Sequence, residues 1–78
     1  MYVYRLRSIP FPTETYIGMT DNPTRRLKEH NSGNSIYTNK FKPWKYDLVV
    51  WLPDKTKIYH LEKYLKSHSG KEFAKRHF

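Results

Sequence analysis

Few residues in this sequence can do chemistry on an anion. There is no Cys, so thiolate nucleophiles and thiolate metal ligands are excluded. Nor is there a glycine-rich phosphate loop, a Gly-x-Ser-x-Gly elbow or a His-Glu-x-x-His pair. The four His, at 30, 60, 68 and 77, lack the spacing of a zinc site. What remains is Tyr4, Tyr16, Arg26, His30 and Glu62: two phenols, a permanently charged guanidinium, an imidazole and a carboxylate. Such a set can bind an oxyanion and move a proton beside it. Each member also has a plainer explanation. A strand Tyr can be a core aromatic, Arg26 a solvated helix residue paired with Glu29 or Asn22, and His30 a packing residue near a helix end. Glu62 could be a surface carboxylate paired with Lys66, worth only about 0.2–0.5 kcal/mol.

The elements that would have to position these groups can be read from periodicity. Residues 2–7 alternate, with Tyr2, Tyr4 and Leu6 on one face and Val3, Arg5 and Arg7 on the other, which predicts a strand. Ile9-Pro-Phe-Pro-Thr breaks it, and Thr15-Tyr-Ile-Gly-Met resumes it as the second arm of a hairpin. A register with Tyr4 opposite Tyr16 and Tyr2 opposite Gly18 would project both site tyrosines from one face. Gly18 then marks either a bulge or a close backbone approach to the Tyr cluster. Asn22 as N-cap and Pro23 at the first helical position start a helix that runs to about Asn31, before Ser32-Gly-Asn-Ser. On it Arg26 and His30 share a face, and Leu27 points to the core. The stretch around 36–42 reads as basic and irregular. Residues 44–52 form a third strand ended by Pro53, and Trp44 and Trp51 are expected in the core. Asp54 caps a second helix to about His68, with Ile58, Leu61 and Leu65 as its apolar stripe and Glu62 beside it. Ser69-Gly-Lys-Glu72 has capping-box spacing and predicts a last short basic helix. The order β-β-α-β-α-α implies an α+β fold, a small three-stranded antiparallel sheet flanked by helices.

Composition narrows the partner. The chain has 78 residues and a formal charge of +8, from 15 Lys and Arg against 7 Asp and Glu. Chains this short bury only roughly 60–65% of their unfolded surface, so one domain over 1–78 is expected. With no disulfides, the core leans on 7 Tyr, 4 Phe and 2 Trp. The charge points to a polyanion. No long amphipathic basic helix suggests a membrane surface, and no apolar run approaches spanning length. The N-terminus has no signal-peptide pattern, so a cytoplasmic location is the expectation. Nucleic acid leads as the partner.

Tyr2-Val-Tyr4, Tyr16-Ile-Gly18, Arg26 eight residues after that Gly, His30 four further on and Glu62 in Leu-Glu-Lys-Tyr-Leu-Lys together resemble the GIY-YIG nuclease domain. The resemblance spans essentially the whole chain, including Lys28-Glu-His-Asn-Ser-Gly, Lys42-Pro-Trp and the closing Ser-Gly-Lys-Glu-Phe-Ala-Lys-Arg-His-Phe. It is most similar to small stand-alone members related to the nuclease module of the nucleotide-excision-repair incision subunit. The resemblance implies a metal-dependent endonuclease, with DNA as the expected substrate and RNA as the alternative. Glu62 would hold one Mg²⁺ or Mn²⁺, and Arg26 would contact the scissile phosphate. Tyr4 would be the general base or water-orienting group, sharing its proton with His30, and Tyr16 would position water or phosphate. Tyr37, Lys40 and Lys42 become candidates for binding the nucleic acid, although their basic stretch could be merely solubilising charge. Two other readings stand beside this one: a non-catalytic nucleic-acid-binding module using the same basic face, and a nuclease activated by a protein partner that supplies specificity.

Overall fold

The computed structural model describes residues 1–33 and 35–77. Asn34, in the helix-breaking stretch, and Phe78, in the closing motif, lie outside the described residues. Strand β1 (Tyr2–Ser8) is the centre of a three-stranded sheet of order β2-β1-β3, between β2 (Thr15–Thr20) and β3 (Trp44–Trp51), and both pairings are antiparallel. This is the predicted sheet, and as its central strand β1 is covered on both faces, with five of its seven residues buried where the edge strands are mostly half-exposed.

On one face Val3 packs with Ile58 and Leu65, supported by Ile17, Leu48, Val50 and Leu61. These helix residues come from α3 (Lys55–Lys66), after which α4 (His68–His77) folds back against α3. On the other face Tyr4, Leu6 and Trp44 pack with Tyr16, Leu27, Phe41 and Tyr46. There α1 (Pro23–Asn31) supplies Leu27, and α2 (Ile36–Lys40) follows α1. A bulge between Arg5 and Leu6 makes this division possible on β3: Leu6 opposes Tyr46 while Arg5 opposes Leu48, leaving Asp47 as the extra residue. With strict alternation Tyr46 and Leu48 would share a face; here they serve opposite cores.

Several sequence expectations need correction. Tyr4 opposes Gly18, Leu6 opposes Tyr16 and Tyr2 opposes Thr20, a slip of two residues from the expected register. A slip of two preserves the face of every side chain, so Tyr4 and Tyr16 still project together. The segment expected to be irregular contains α2. The last helix begins at His68, because Ser67 rather than Ser69 caps it: its Oγ accepts from Gly70 N at 3.1 Å. Trp44 is core, but Trp51 is 55% exposed on the edge strand β3. The starts of α1 and α3 are as read from the sequence. Asn22 Oδ1 accepts from Arg25 N at 3.0 Å, and Asp54 Oδ1 from Thr56 N at 2.8 Å.

Candidate active site

Four of the five candidate residues meet on the α1 face. The Tyr4 ring, 1% exposed, lies across Gly18 so closely that a Cβ there would sit 2.5 Å from the phenol oxygen and 2.7 Å from Cζ. Glycine at 18 is therefore required by the ring, one of the two explanations open from sequence. The Tyr4 hydroxyl reaches His30 Nε2 at 2.9 Å, and Arg26 Nε donates to the same oxygen at 3.4 Å. Arg26 and His30, one helical turn apart, thus bracket one phenol, as their shared face predicted. Arg26 is also held by Glu29 Oε1 at 3.2 Å.

The second nitrogen of His30 fixes the direction of the chain. His30 Nδ1 lies 2.9 Å from Thr38 Oγ1, whose hydroxyl in turn donates to the Ser35 carbonyl at 3.5 Å. Arginine only donates, so one consistent set of protons runs from Arg26 to the Tyr4 oxygen, from the Tyr4 hydroxyl to Nε2, from Nδ1–H to Thr38, and on to Ser35. In this assignment the imidazole is neutral and carries its proton on Nδ1. Burial, and then the Arg26 charge, lowers the His30 pKa and favours that neutral form. Burial raises the Tyr4 pKa, outweighing the lowering by Arg26. The Tyr4 hydrogen bond is the leading cause of the raised Arg26 pKa, so the guanidinium stays charged.

This geometry rests on supports that periodicity could not reveal. Thr38 is fully buried, and its carbonyl accepts from Trp44 Nε1 at 2.7 Å. Asn31 Oδ1 accepts from Trp44 N at 2.6 Å and its Nδ2 donates to Trp44 O at 3.2 Å, tying the end of α1 to the start of β3. Tyr46 packs edge-on to Tyr4 with centroids 5.4 Å apart and donates to Pro23 O at 2.8 Å. Its pKa is raised to about 12, chiefly by burial.

Tyr16 occupies a different position from Tyr4. Its ring lies 5.1 Å from the His30 ring and 6.4 Å from that of Tyr4, yet it is only partly buried. Among the described residues nothing hydrogen-bonds its hydroxyl. Tyr37 stands beside it at 6.0 Å, donating to Glu14 Oε2 at 2.9 Å, while Lys40 and Lys42 are exposed. Among the described residues no hydrogen bond or ion pair links Glu62 to these four. It projects from α3, whose core contacts lie on the opposite face of the sheet, and its side chain, 14% exposed, pairs with Lys66 at 3.5 Å. Among the described residues no three His, Cys, Asp or Glu side chains gather to hold a metal ion. A Mg²⁺-type ion needs only one or two protein carboxylates when water and phosphate oxygens fill its shell, and Glu62 fits that limited requirement.

The model of the GIY-YIG catalytic domain matches residues 1–76. This chain belongs to the GIY-YIG family. Among curated proteins, it is 37% identical over 79 residues to the structure-specific endonuclease subunit SLX1 of Malassezia globosa, covering 95% of this chain and 18% of that protein. It is 46% identical over 55 residues to the SLX1 of Debaryomyces hansenii, covering 63% of this chain and 16% of that protein. An SLX1 homolog of Giardia intestinalis is 40% identical over 42 residues, covering 50% of this chain and 12% of that protein. The chain therefore spans less than a fifth of the length of these relatives. No solved structure matches it significantly.

Proposed function

We propose that this GIY-YIG domain is a divalent-metal-dependent endonuclease that hydrolyses DNA phosphodiester bonds, acting inside the cell. The carrying observation is the Arg26–Tyr4–His30–Thr38 hydrogen-bond chain lying directly behind the partly exposed Tyr16.

Hydrolysis of a phosphodiester requires a proton to leave the attacking water and charge to be stabilised on the phosphoryl oxygens. Arg26, about one third exposed, can offer its forked donors to the scissile phosphate. Tyr16, with its hydroxyl unbonded among the described residues, is the phenol suited to orient water or phosphate. Tyr4 is too buried to take that part. Its service is to hold Arg26 through its oxygen while its hydroxyl donates to the Nε2 of neutral His30, which fixes the guanidinium beside the phosphate site. Glu62 would hold one Mg²⁺ or Mn²⁺, an ion that supplies Lewis acidity and a more acidic bound water. Tyr37, Lys40 and Lys42, beside or beyond Tyr16, would bind the flanking nucleic acid.

Cleavage of labelled single-stranded, duplex, flap and bubble DNA and of RNA, with Mg²⁺, Mn²⁺ or EDTA, tests this. Metal-dependent products that disappear in both Glu62→Ala and Arg26→Ala are expected. Salt-sensitive binding without cleavage would establish the non-catalytic alternative. One observation favours a partner-activated form of the enzyme: the curated relatives are named as subunits. Cleavage that appears only with an added partner would select that reading.

A further inference from the structure

Tyr16 and Tyr37 also border a groove that the site does not explain. It has a volume of about 960 Å³ and runs from these two rings, across the β2 edge of the sheet, to α4. Arg5 and Arg7 from β1, Lys66 from α3, and Lys71 and Lys75 from α4 line it, with Glu72 as the one acid among its lining residues. None of these cations belongs to the Arg26 cluster or to the Tyr37, Lys40 and Lys42 set.

Two features point to an anionic ligand. The first is Arg5, whose side chain is only 9% exposed. It shares a single carboxylate, Asp47, with Arg7, at 3.7 Å and 3.0 Å. Among the described residues nothing pairs with Arg5 Nη1 or with Oδ1 of Asp47. One carboxylate divided between two arginines leaves a net positive charge in the groove wall, which favours an anion beside it. The second is the arrangement of the others. Lys71 and Lys75 are exposed and one turn apart on α4, about 6 Å along its axis. The cations come from three elements, β1, α3 and α4, that line one groove, and such a spread suits successive phosphates of a strand better than one compact anion.

We propose that this groove binds the sugar-phosphate backbone of the nucleic-acid strand flanking the scissile phosphate. The inference rests on the nuclease reading above. A strand leaving Tyr16 would pass over the β2 edge and lay its next phosphates along Arg5, Arg7, Lys71 and Lys75. Backbone contacts of this kind position a substrate without reading its bases.

Arg5→Gln is the obvious variant, but it deprives the half-buried Asp47 of one of its two cations and could unfold the chain. The double variant Lys71→Ala/Lys75→Ala alters only exposed side chains. Binding of a fluorescent 12-nucleotide single strand is measured in EDTA across a salt series, beside turnover of thymidine 5′-(p-nitrophenyl phosphate), which is too small to span the groove. Removing one lysine–phosphate pair should flatten the slope of log affinity against log salt by about 0.7. The double variant should therefore flatten it by about 1.4, while its turnover of the small substrate stays at the wild-type level. A wild-type slope in the variant would overturn the groove while leaving the nuclease standing. Failure of the wild type to bind the strand would overturn the groove, and absence of any turnover of the small substrate would overturn the nuclease reading with it. At constant ionic strength, release of the strand by micromolar inorganic phosphate from wild type but not from the variant would show a free-phosphate pocket, and would also overturn the strand reading.

Discussion

The two faces of the sheet treat charge in opposite ways. On the α1 face the polar groups are closed into a chain: Arg26, Tyr4, His30 and Thr38 each have a partner within 3.5 Å, and all but Arg26 are fully buried. On the α3–α4 side positive charge is in excess, with one carboxylate shared between buried Arg5 and Arg7 and two lysines exposed on α4. A closed chain fixes tautomer and orientation, which chemistry at one atom requires. An excess of positive charge spread over several elements tolerates movement along a polyanion, which holding a strand requires. Tyr16 and Tyr37 stand where the two meet.

Substitutions on the closed face should have the larger effects on stability. Gly18→Val would drive side-chain atoms into the Tyr4 phenol, and overpacking of this kind costs about 1–3 kcal/mol; a clear fall in the urea midpoint and loss of cleavage are expected. Thr38→Val keeps the shape but strands the His30 Nδ1–H, at about 1–3 kcal/mol. Because Thr38 acts through His30, its variant should also change the pH profile of cleavage, which a purely structural loss would leave in place.

Acid should expose the same chain. The folded His30 pKa is lowered below its ordinary value of 6.5, so between the two values the unfolded state binds more protons. The stability this represents is fully present above about pH 6.5 and is lost as pH falls from there through the lower folded value. Chemical denaturation from pH 8 to pH 5 should show this decline, and His30→Gln should flatten it. The smallest effect belongs to the other side: Lys66→Ala breaks an i,i+4 pair with Glu62 and should shift stability by only about 0.2–0.5 kcal/mol. A Lys66→Ala loss as large as that of Thr38→Val would erase the contrast between the faces.

What the sequence revealed follows the range of the interactions. Asn22-Pro23 and Asp54 announce helix starts because a cap is a contact between neighbours. Arg26 and His30 were legible as one pair because helical spacing places them. The hairpin register was missed by two residues because the loop sets it, through Ser8 N to Glu14 O at 3.0 Å and Glu14 N to Phe11 O at 2.8 Å. Helix α2 is five residues long, has no side-chain cap and leaves Ile36 94% exposed, so no apolar period marks it. Glu29 was legible as a helical neighbour of Arg26. Thr38 and Tyr46 carry no motif; their importance lies in what they touch across 8 and 42 positions of sequence. The bulge at Asp47, which sends Tyr46 and Leu48 to different cores, breaks the very alternation a strand reading depends on.

The central claim is that the Arg26 cluster performs the chemistry rather than merely binding the strand. Its most direct test is the single-turnover cleavage rate at saturating DNA with Mg²⁺ for wild type and Arg26→Ala, with affinity measured in parallel in EDTA. A rate loss of about 10²–10³-fold, the scale of removing one charge-stabilising donor, with affinity changed far less, is the predicted result. An unchanged cleavage rate accompanied by weakened binding would place Arg26 among the strand contacts and contradict the account.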